Sequence, residues 1–482
     1  MNPPSRIAIV GAGWAGLAAA VRAVQRGYRV SVFEAGRTPG GRARAVPLAL
    51  PPEGTAAALG RPGGGGMWPP RSAASPAALP PEGAAALGRP GGGVVDNGQH
   101  ILIGAYTSTL ELMRAVGVDP AQALRRLPLT LRYPDGSGLS LPRLPRPLDA
   151  VAGILAARGW RWADRWALLR AAAGWRRAGF TCDESLSVAD LCAALPARVR
   201  QDFIEPLCLA ALNTPVAEAS ARVFLCVLRD ALLGPSDSLG RSADLLLPQT
   251  DLGALLPAPA LHWLHAHGAA VHLGQRVSTV RWQAPRWCIG EQPFDQVVLA
   301  LPAPVAAQVL TASAALAPPP PEAAALLDWS QTAAALRHQA IATVYALAQD
   351  VPPWPAPMLA LRSDGGTQAP AQFVFDHGAL ITTGAAKNTR LLAFVASVAR
   401  LDNATLEQAV LRQAQTQLGL SLRPLRTMTE KRATFACTPG LRRPPMPIAR
   451  GLLACGDYID GPYPATLEGA VRSGLQAAEA LR

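Results

Sequence analysis

Apolar residues along this chain change their spacing from segment to segment, and the spacing predicts what each segment forms. Ile7-Ala8-Ile9-Val10 is a continuous apolar run closed by glycine, the pattern of a short buried strand. An alanine-rich helix to about Arg26 and a second strand over residues 29–33 complete a compact βαβ unit with its glycines in the first turn. Further on, Trp162, Trp166 and Leu169 recur at i, i+4 and i+7, while Arg158, Arg161 and Arg165 recur at i, i+3 and i+7; this predicts an amphipathic helix. Helical character continues to about Leu233. Strands are predicted again around residues 271–282, 297–301, 340–348, 391–398 and 451–454, with a closing helix from about Leu467. A proline run over residues 316–321 interrupts any helix there.

One segment breaks the pattern. Residues 49–66 read ALPPEGTAAALGRPGGGG, and residues 78–93 repeat this as ALPPEGAAALGRPGGG. Two copies rich in Pro, Gly and Ala offer few side chains for a core, so residues 46–93 are expected to form a flexible loop rather than a repeat domain.

The length of 482 residues exceeds what one core usually serves, so two intertwined domains are expected. A formal charge of +12 invites a nucleic-acid partner, yet only Lys387 and Lys431 are lysines, and the excess is a general arginine bias rather than a basic motif. No nucleic-acid partner is therefore expected. Seven scattered cysteines form no CxxC pair and have no zinc-finger histidine nearby, which predicts buried reduced thiols and no metal site. The N-terminus has no charged start followed by an apolar signal core, and no stretch of about eighteen apolar residues occurs, so neither export nor a spanning helix is expected.

The chemistry starts at Gly11, Gly13 and Gly16, which satisfy G-x-G-x-x-G directly after a predicted strand. The first glycine permits the tight turn, the second admits a pyrophosphate close to backbone, and the third packs helix on strand. Ala12 and Ala15 lie in the same turn, and the helix N-terminus faces the phosphates. Glu34 ends the next strand, followed by Ala35, where a carboxylate can accept from ribose hydroxyls. Strand, helix and distal acid together predict a dinucleotide site.

Glu34 followed by Gly40-Gly41-Arg42 resembles the second fingerprint of the amine oxidase and phytoene desaturase superfamily of flavoproteins. Residues 276–280, with Val277, resemble the strand whose valine backbone contacts adenine there. Gly456-Asp457 and the segment 464–470, with Thr466, Leu467 and Glu468 at a helix start, resemble the part that meets the ribityl chain and the flavin ring. Residues 95–101, which contain Gly98, Gln99 and His100, together with 464–469, closely resemble the hydroxysqualene dehydroxylases.

The resemblance implies an α/β fold: a Rossmann-like FAD-binding domain with an interleaved substrate domain of mixed sheet and helices, the amine oxidase and GDI-like architecture. The FAD-binding domain would comprise residues 1–45, 94–110, 235–305 and 445–482, and the substrate domain 111–234 and 306–444. FAD is the implied cofactor. An apolar isoprenoid, hydroxysqualene, is the implied substrate, reduced to squalene, with the electron donor left open. His100, Tyr458, Asp460 and Tyr463 lie in segments that the family places near the flavin ring; the first three are the candidate acids, His100 foremost, with a merely loop-holding role as its alternative. Glu468 reads as a hydrogen-bonding group of the helix start. A carotenoid-type desaturase running hydride transfer the other way is the alternative reaction, and a non-catalytic prenyl-binding escort the alternative class. The Trp/Arg helix is expected to close the substrate-domain core, with a place on a bilayer surface as its alternative. The expected location is the cytoplasm, with peripheral contact at the inner membrane face as an option.

Overall fold

The computed structural model describes residues 4–49, 92–234, 240–316, 320–349, 351, 356–379 and 389–482. The chain opens with strand β1 (Arg6–Val10), helix α1 (Trp14–Gln25) and strand β2 (Arg29–Glu34). Strands β3 (Ala45–Ala49) and β4 (Gly92–Asp96) follow, then helices α2 (Thr107–Ala115), α3 (Leu148–Leu155) and α4 (Trp162–Arg177). After a helix at Ala221–Leu233 come β5 (Ala270–Leu273), β6 (Gln296–Leu299), α5 (Ala303–Ala314) and α6 (Pro320–Ala334). The last third holds β7 (His338–Gln349), β8 (Met358–Ala360), β9 (Phe373–Asp376), β10 (Thr389–Ser397), α7 (Asn403–Leu418), β11 (Leu422–Phe435), β12 (Pro447–Ala449), β13 (Leu452–Ala454) and α8 (Leu467–Glu479).

The two largest sheets among the described residues position the site. The first runs β5-β2-β1-β6-β13-β12, parallel throughout except for the antiparallel edge strand β12. Its central strands are covered on both faces, which is why β1 reads as an unbroken apolar run instead of alternating. One face is covered by α1 and α8, which approach so closely that a Cβ on Gly474 would lie 2.1 Å from the Ala15 carbonyl oxygen. The other face carries Trp287, Phe294, Leu326 and Trp329. The second sheet is antiparallel, in the order β8-β9-β10-β7-β11. On β7, Ala342 and Val344 pack with Leu406, Val410 and Ala414 of α7. Strand alternation turns Thr343 and Tyr345 to the opposite face.

Three expectations are corrected. Residues 276–280 are not a ladder strand: pairing with β2 ends at Leu273, where Gly274 at φ +75° turns the chain. Residues 46–93 were expected to be loop throughout, but 46–49 and 92–93 belong to β3 and β4, which pair with each other within a separate unit spanning Val46–Val95. The duplicated motif itself, at 50–91, lies outside the described residues. Finally, α4 does not bury its tryptophans. Its inward stripe is Asp164 and Leu168, while Trp162 and Trp166 are 63% and 57% exposed. Periodicity defined a face of this helix but not which face finds a partner.

Candidate active site

Backbone without side chains builds the first part of the site. Gly11 sits at φ +112°, and a Cβ there would lie 2.3 Å from the Ala300 carbonyl oxygen, so only glycine fits. A Cβ on Gly16 would lie 1.9 Å from the Gly11 carbonyl oxygen, which is what draws α1 onto β1. Gly13 is the N-cap of α1, with no side-chain cap, so the first N–H groups of the helix remain for a ligand. The Gly40–Gly41 turn docks on this one: the Gly40 N–H donates to the Ala12 carbonyl at 2.8 Å, and a Cβ on Gly41 would come within 3.3 Å of Gly13 Cα. Ala12 and Ala15 are buried, so they contribute packing and backbone.

Glu34 stands at the end of β2, beside exposed Ala35. Its two carboxylate oxygens accept from the N–H groups of Ala12 at 2.7 Å and Gly36 at 2.6 Å. Each oxygen keeps a second acceptor position, which suits ribose hydroxyls. Half-buried Val277 lies on the extended stretch just beyond Gln275, whose N–H donates to the Glu34 carbonyl at 2.9 Å. These features fit the adenosine and pyrophosphate portions of FAD: a bare backbone cradle, a helix N-terminus and a carboxylate at the ribose position.

Arg42 forms a close ion pair with Asp457 and donates to the Ala433 carbonyl at 2.8 Å. Burial opposes its charge, but attraction and hydrogen bonding to Asp457 outweigh this, and the Arg42 pKa is raised. The N–H of Gly456 donates to Ser473 Oγ on α8 at 2.9 Å, fixing the start of the Gly456-Asp457 turn. Thr466 caps α8 by accepting from the Gly469 N–H at 2.9 Å. That leaves the Leu467 and Glu468 N–H groups, in the first turn of α8, for an acceptor. The Glu468 side chain is not left for a ligand. It is fully buried and accepts from Ser108 N–H (3.1 Å), Thr109 N–H (2.9 Å), Thr109 Oγ1 (2.7 Å) and Arg472 Nε (2.8 Å), so it caps α2 from α8.

Residues 96–100 tie the Arg42–Arg44 stretch to the second sheet. Asn97 exchanges backbone and side-chain hydrogen bonds with Arg42 and Arg44, and the Asp96 carboxylate accepts from the Leu252 N–H at 2.8 Å. From the second sheet, Tyr345 Oη donates to the Asp96 carbonyl at 2.9 Å, and His377 Nε2 pairs with Gln99 Oε1 at 2.6 Å. Gly98 completes the bridge: the position of a Cβ on it would be 3.9 Å from His100 Cε1 and 4.0 Å from Thr343 Oγ1.

The candidate acids separate. His100 Nδ1 lies 2.7 Å from the Gly98 carbonyl, which places its proton there, and burial, aided by the Arg42 charge, lowers its pKa. A neutral ring committed this way presents an acceptor at Nε2, which suits holding the loop better than protonating a leaving group. Tyr458 is buried against Trp329, its hydroxyl has no hydrogen-bond partner among the described residues, and burial raises its pKa well above the usual phenol value. Asp460 is not in this group: its side chain is 75% exposed and pairs with Arg443 at 3.1 Å. Tyr463 donates to Asp230 at 2.6 Å, beneath the Arg472 guanidinium.

Thr343, Tyr345 and His377 were not among the sequence candidates. No motif surrounds them, and the one available signal was the alternation of β7, which puts Thr343 and Tyr345 on a common face.

A family model described as flavin containing amine oxidoreductase matches residues 85–482, and one described as an NAD(P)-binding Rossmann-like domain matches residues 9–57. Over 98% of its length the chain is 27% identical to a hydroxysqualene dehydroxylase of Rhodopseudomonas palustris, covering 97% of that protein. It is also 27% identical to one of Sinorhizobium fredii, over 99% of this chain and 98% of the relative. Among solved structures, an oxidoreductase from Methanosarcina mazei superposes with a TM-score of 0.64 at 16% identity, covering 98% of this chain and all of the other.

Proposed function

Because the chain belongs to the flavin containing amine oxidoreductase family and is an FAD-dependent oxidoreductase, we propose that it removes the hydroxyl group of hydroxysqualene reductively to give squalene. The observation that carries this reading is the likeness to named hydroxysqualene dehydroxylases along nearly the whole chain, cofactor cradle and substrate sheet together. The bond broken is the allylic C–O bond; the hydroxyl takes up a proton and leaves as water, and the carbon gains a hydride. When bound, reduced flavin supplies that hydride and with it both electrons. The Gly11, Gly13 and Gly40–Gly41 turns would hold the pyrophosphate, with Arg42 and Asp457 beside it. The α8 N-terminus would favour negative charge on the reduced ring. An apolar lining around the substrate would exclude water from a cationic carbon that water would otherwise trap.

Anaerobic mixing of the chemically reduced protein with hydroxysqualene tests this. Flavin reoxidation with squalene in equal amount is expected. Reduced flavin and unchanged alcohol, with phytoene desaturated by the oxidised protein, would replace the reading with a carotenoid-type desaturase.

A substrate this apolar resides in membrane, and α4 with its surroundings supplies a surface for reaching it. Trp162, Trp166, Leu144, Leu148 and Val151 are exposed, and exposed Arg158, Arg161, Arg170, Arg176 and Arg177 accompany them. Tryptophan at headgroup depth flanked by arginine is the composition that binds an anionic bilayer surface. No helix among the described residues is long and apolar enough to cross a membrane.

A further inference from the structure

Residues 457–466 form a turn whose ends meet, the Ala465 N–H donating to the Asp457 carbonyl at 3.0 Å. Ala465 closes it at φ +58°, in the left-handed region that alanine rarely adopts, and such a conformation persists only where the surroundings hold it. Two groups from elsewhere in the chain do the holding. Arg443 donates to the Ile459 carbonyl at 3.0 Å and to the Gly461 carbonyl, and pairs with Asp460. On the other limb, Tyr463 donates at 2.6 Å to Asp230, 233 residues earlier, on the helix at Ala221–Leu233. One turn before Asp230 on that helix, Cys226 Sγ lies 3.7 Å from the Pro462 carbonyl. Arg229 Nε donates to the other Asp230 oxygen at 2.7 Å, and the Arg472 guanidinium of α8 lies over the Tyr463 ring at 4.6 Å. The Tyr463 carbonyl in turn accepts from Thr466 Oγ1, the cap of α8, at 2.9 Å, and a Cβ on Gly469 would lie 1.9 Å from it, so this tyrosine sits directly on the first turn of α8.

We propose that Asp230 and Tyr463 are positioning residues for the cofactor: Asp230 anchors the tyrosine, and the tyrosine seats the first turn of α8 against the flavin. Their action runs through α8 rather than through contact with a reacting atom. The attraction of a helix N-terminus for negative charge falls off within one turn, so a small displacement of this end weakens its hold on a reduced, anionic ring. The oxidised ring carries no such charge and loses less. Asp457, the partner of Arg42, lies at the opposite end of the same turn, so one clamp fixes both groups. This deepens the dehydroxylase reading and rests on the flavin lying at the start of α8, as that reading has it. It places the ease of flavin reduction under the control of a helix remote in sequence from the cofactor segments.

Anaerobic equilibration of the holoprotein with a reference dye of known potential reads the ratio of reduced to oxidised flavin and needs no lipid. Tyr463→Phe keeps the ring beneath Arg472, changes no charge and removes only the tie to Asp230. It should lower that ratio by about threefold at a fixed dye potential. Asp230→Asn keeps an acceptor for the tyrosine and should hold the ratio at or above the wild-type value, since loss of a nearby negative charge by itself favours the reduced anion. A general loss of stability would not separate the two oxidation states, so the ratio reports position. A wild-type ratio in Tyr463→Phe, or a fall in Asp230→Asn, overturns the proposal. Either leaves the dehydroxylase reading standing, because that reading is decided by turnover of hydroxysqualene.

Discussion

At the scale of single residues, the cofactor cradle is built from backbone that side chains would obstruct. Gly11 and Gly16 are dictated by contacts of 2.3 Å and 1.9 Å that any Cβ would make, so their spacing survives as a motif. Thr343 and His377 carry no such mark. Their surroundings are set by the second sheet after folding, and no local pattern encodes that. Asp96 is similar: a residue of the bridging segment whose burial, opposed by the Leu252 N–H and helped by the Asp251 charge, raises its pKa from 3.8 to about 7. Between those values the native chain holds a proton that the unfolded chain has released, so this group makes stability fall as pH rises from about 4 to 7 and adds no further slope above. Asp96→Asn keeps an acceptor for Leu252 and removes the buried charge. Urea unfolding should find the variant more stable by about 2–4 kcal/mol at pH 8 and equal to the wild type near pH 4. A constant difference across that range would contradict the assignment.

Among elements, β1, α1, β2 and α8 were readable because each has one strong period and one terminator, whereas α4 shows where periodicity stops. Its Trp stripe is real, yet the core is met by Asp164 and Leu168, because the partner of a helix face is a tertiary matter. Exposed tryptophans contribute little to folding, so Trp162→Ser with Trp166→Ser should change stability by less than about 0.5 kcal/mol. The same pair should lose sedimentation with anionic phosphatidylglycerol vesicles, and wild-type sedimentation retained by the double variant would remove the membrane role. Glu468 shows a different limit. Its place near the first turn of α8 suggested a group for the ligand or its own helix, but its carboxylate serves α2 across a separation of 359 and 360 residues. Glu468→Ala leaves the Ser108 and Thr109 donors without their cap and should cost about 2–4 kcal/mol of stability in denaturant unfolding. A loss below about 0.5 kcal/mol would show that this tie is dispensable.

For the molecule as a whole, the alternation of strand and helix near both chain ends gave the parallel sheet, while the resemblance implied a substrate domain of mixed sheet and helices, whose five-stranded sheet proves antiparallel. What neither gave is how the 96–100 segment joins them, through Asn97 on one side and Tyr345 and His377 on the other. That junction is where a hydride donor held by the first sheet would meet a lipid held by the second, and in the proposed reaction hydride would pass there to the carbon that loses its hydroxyl. The direct measurement is an anaerobic single turnover in D2O, where the transferable hydrogen of reduced flavin exchanges with solvent, followed by mass and NMR analysis of the lipid. Squalene carrying one deuterium at the carbon that bore the hydroxyl is the expected product. Unlabelled squalene, or a dehydrated product lacking the added hydrogen, would contradict it.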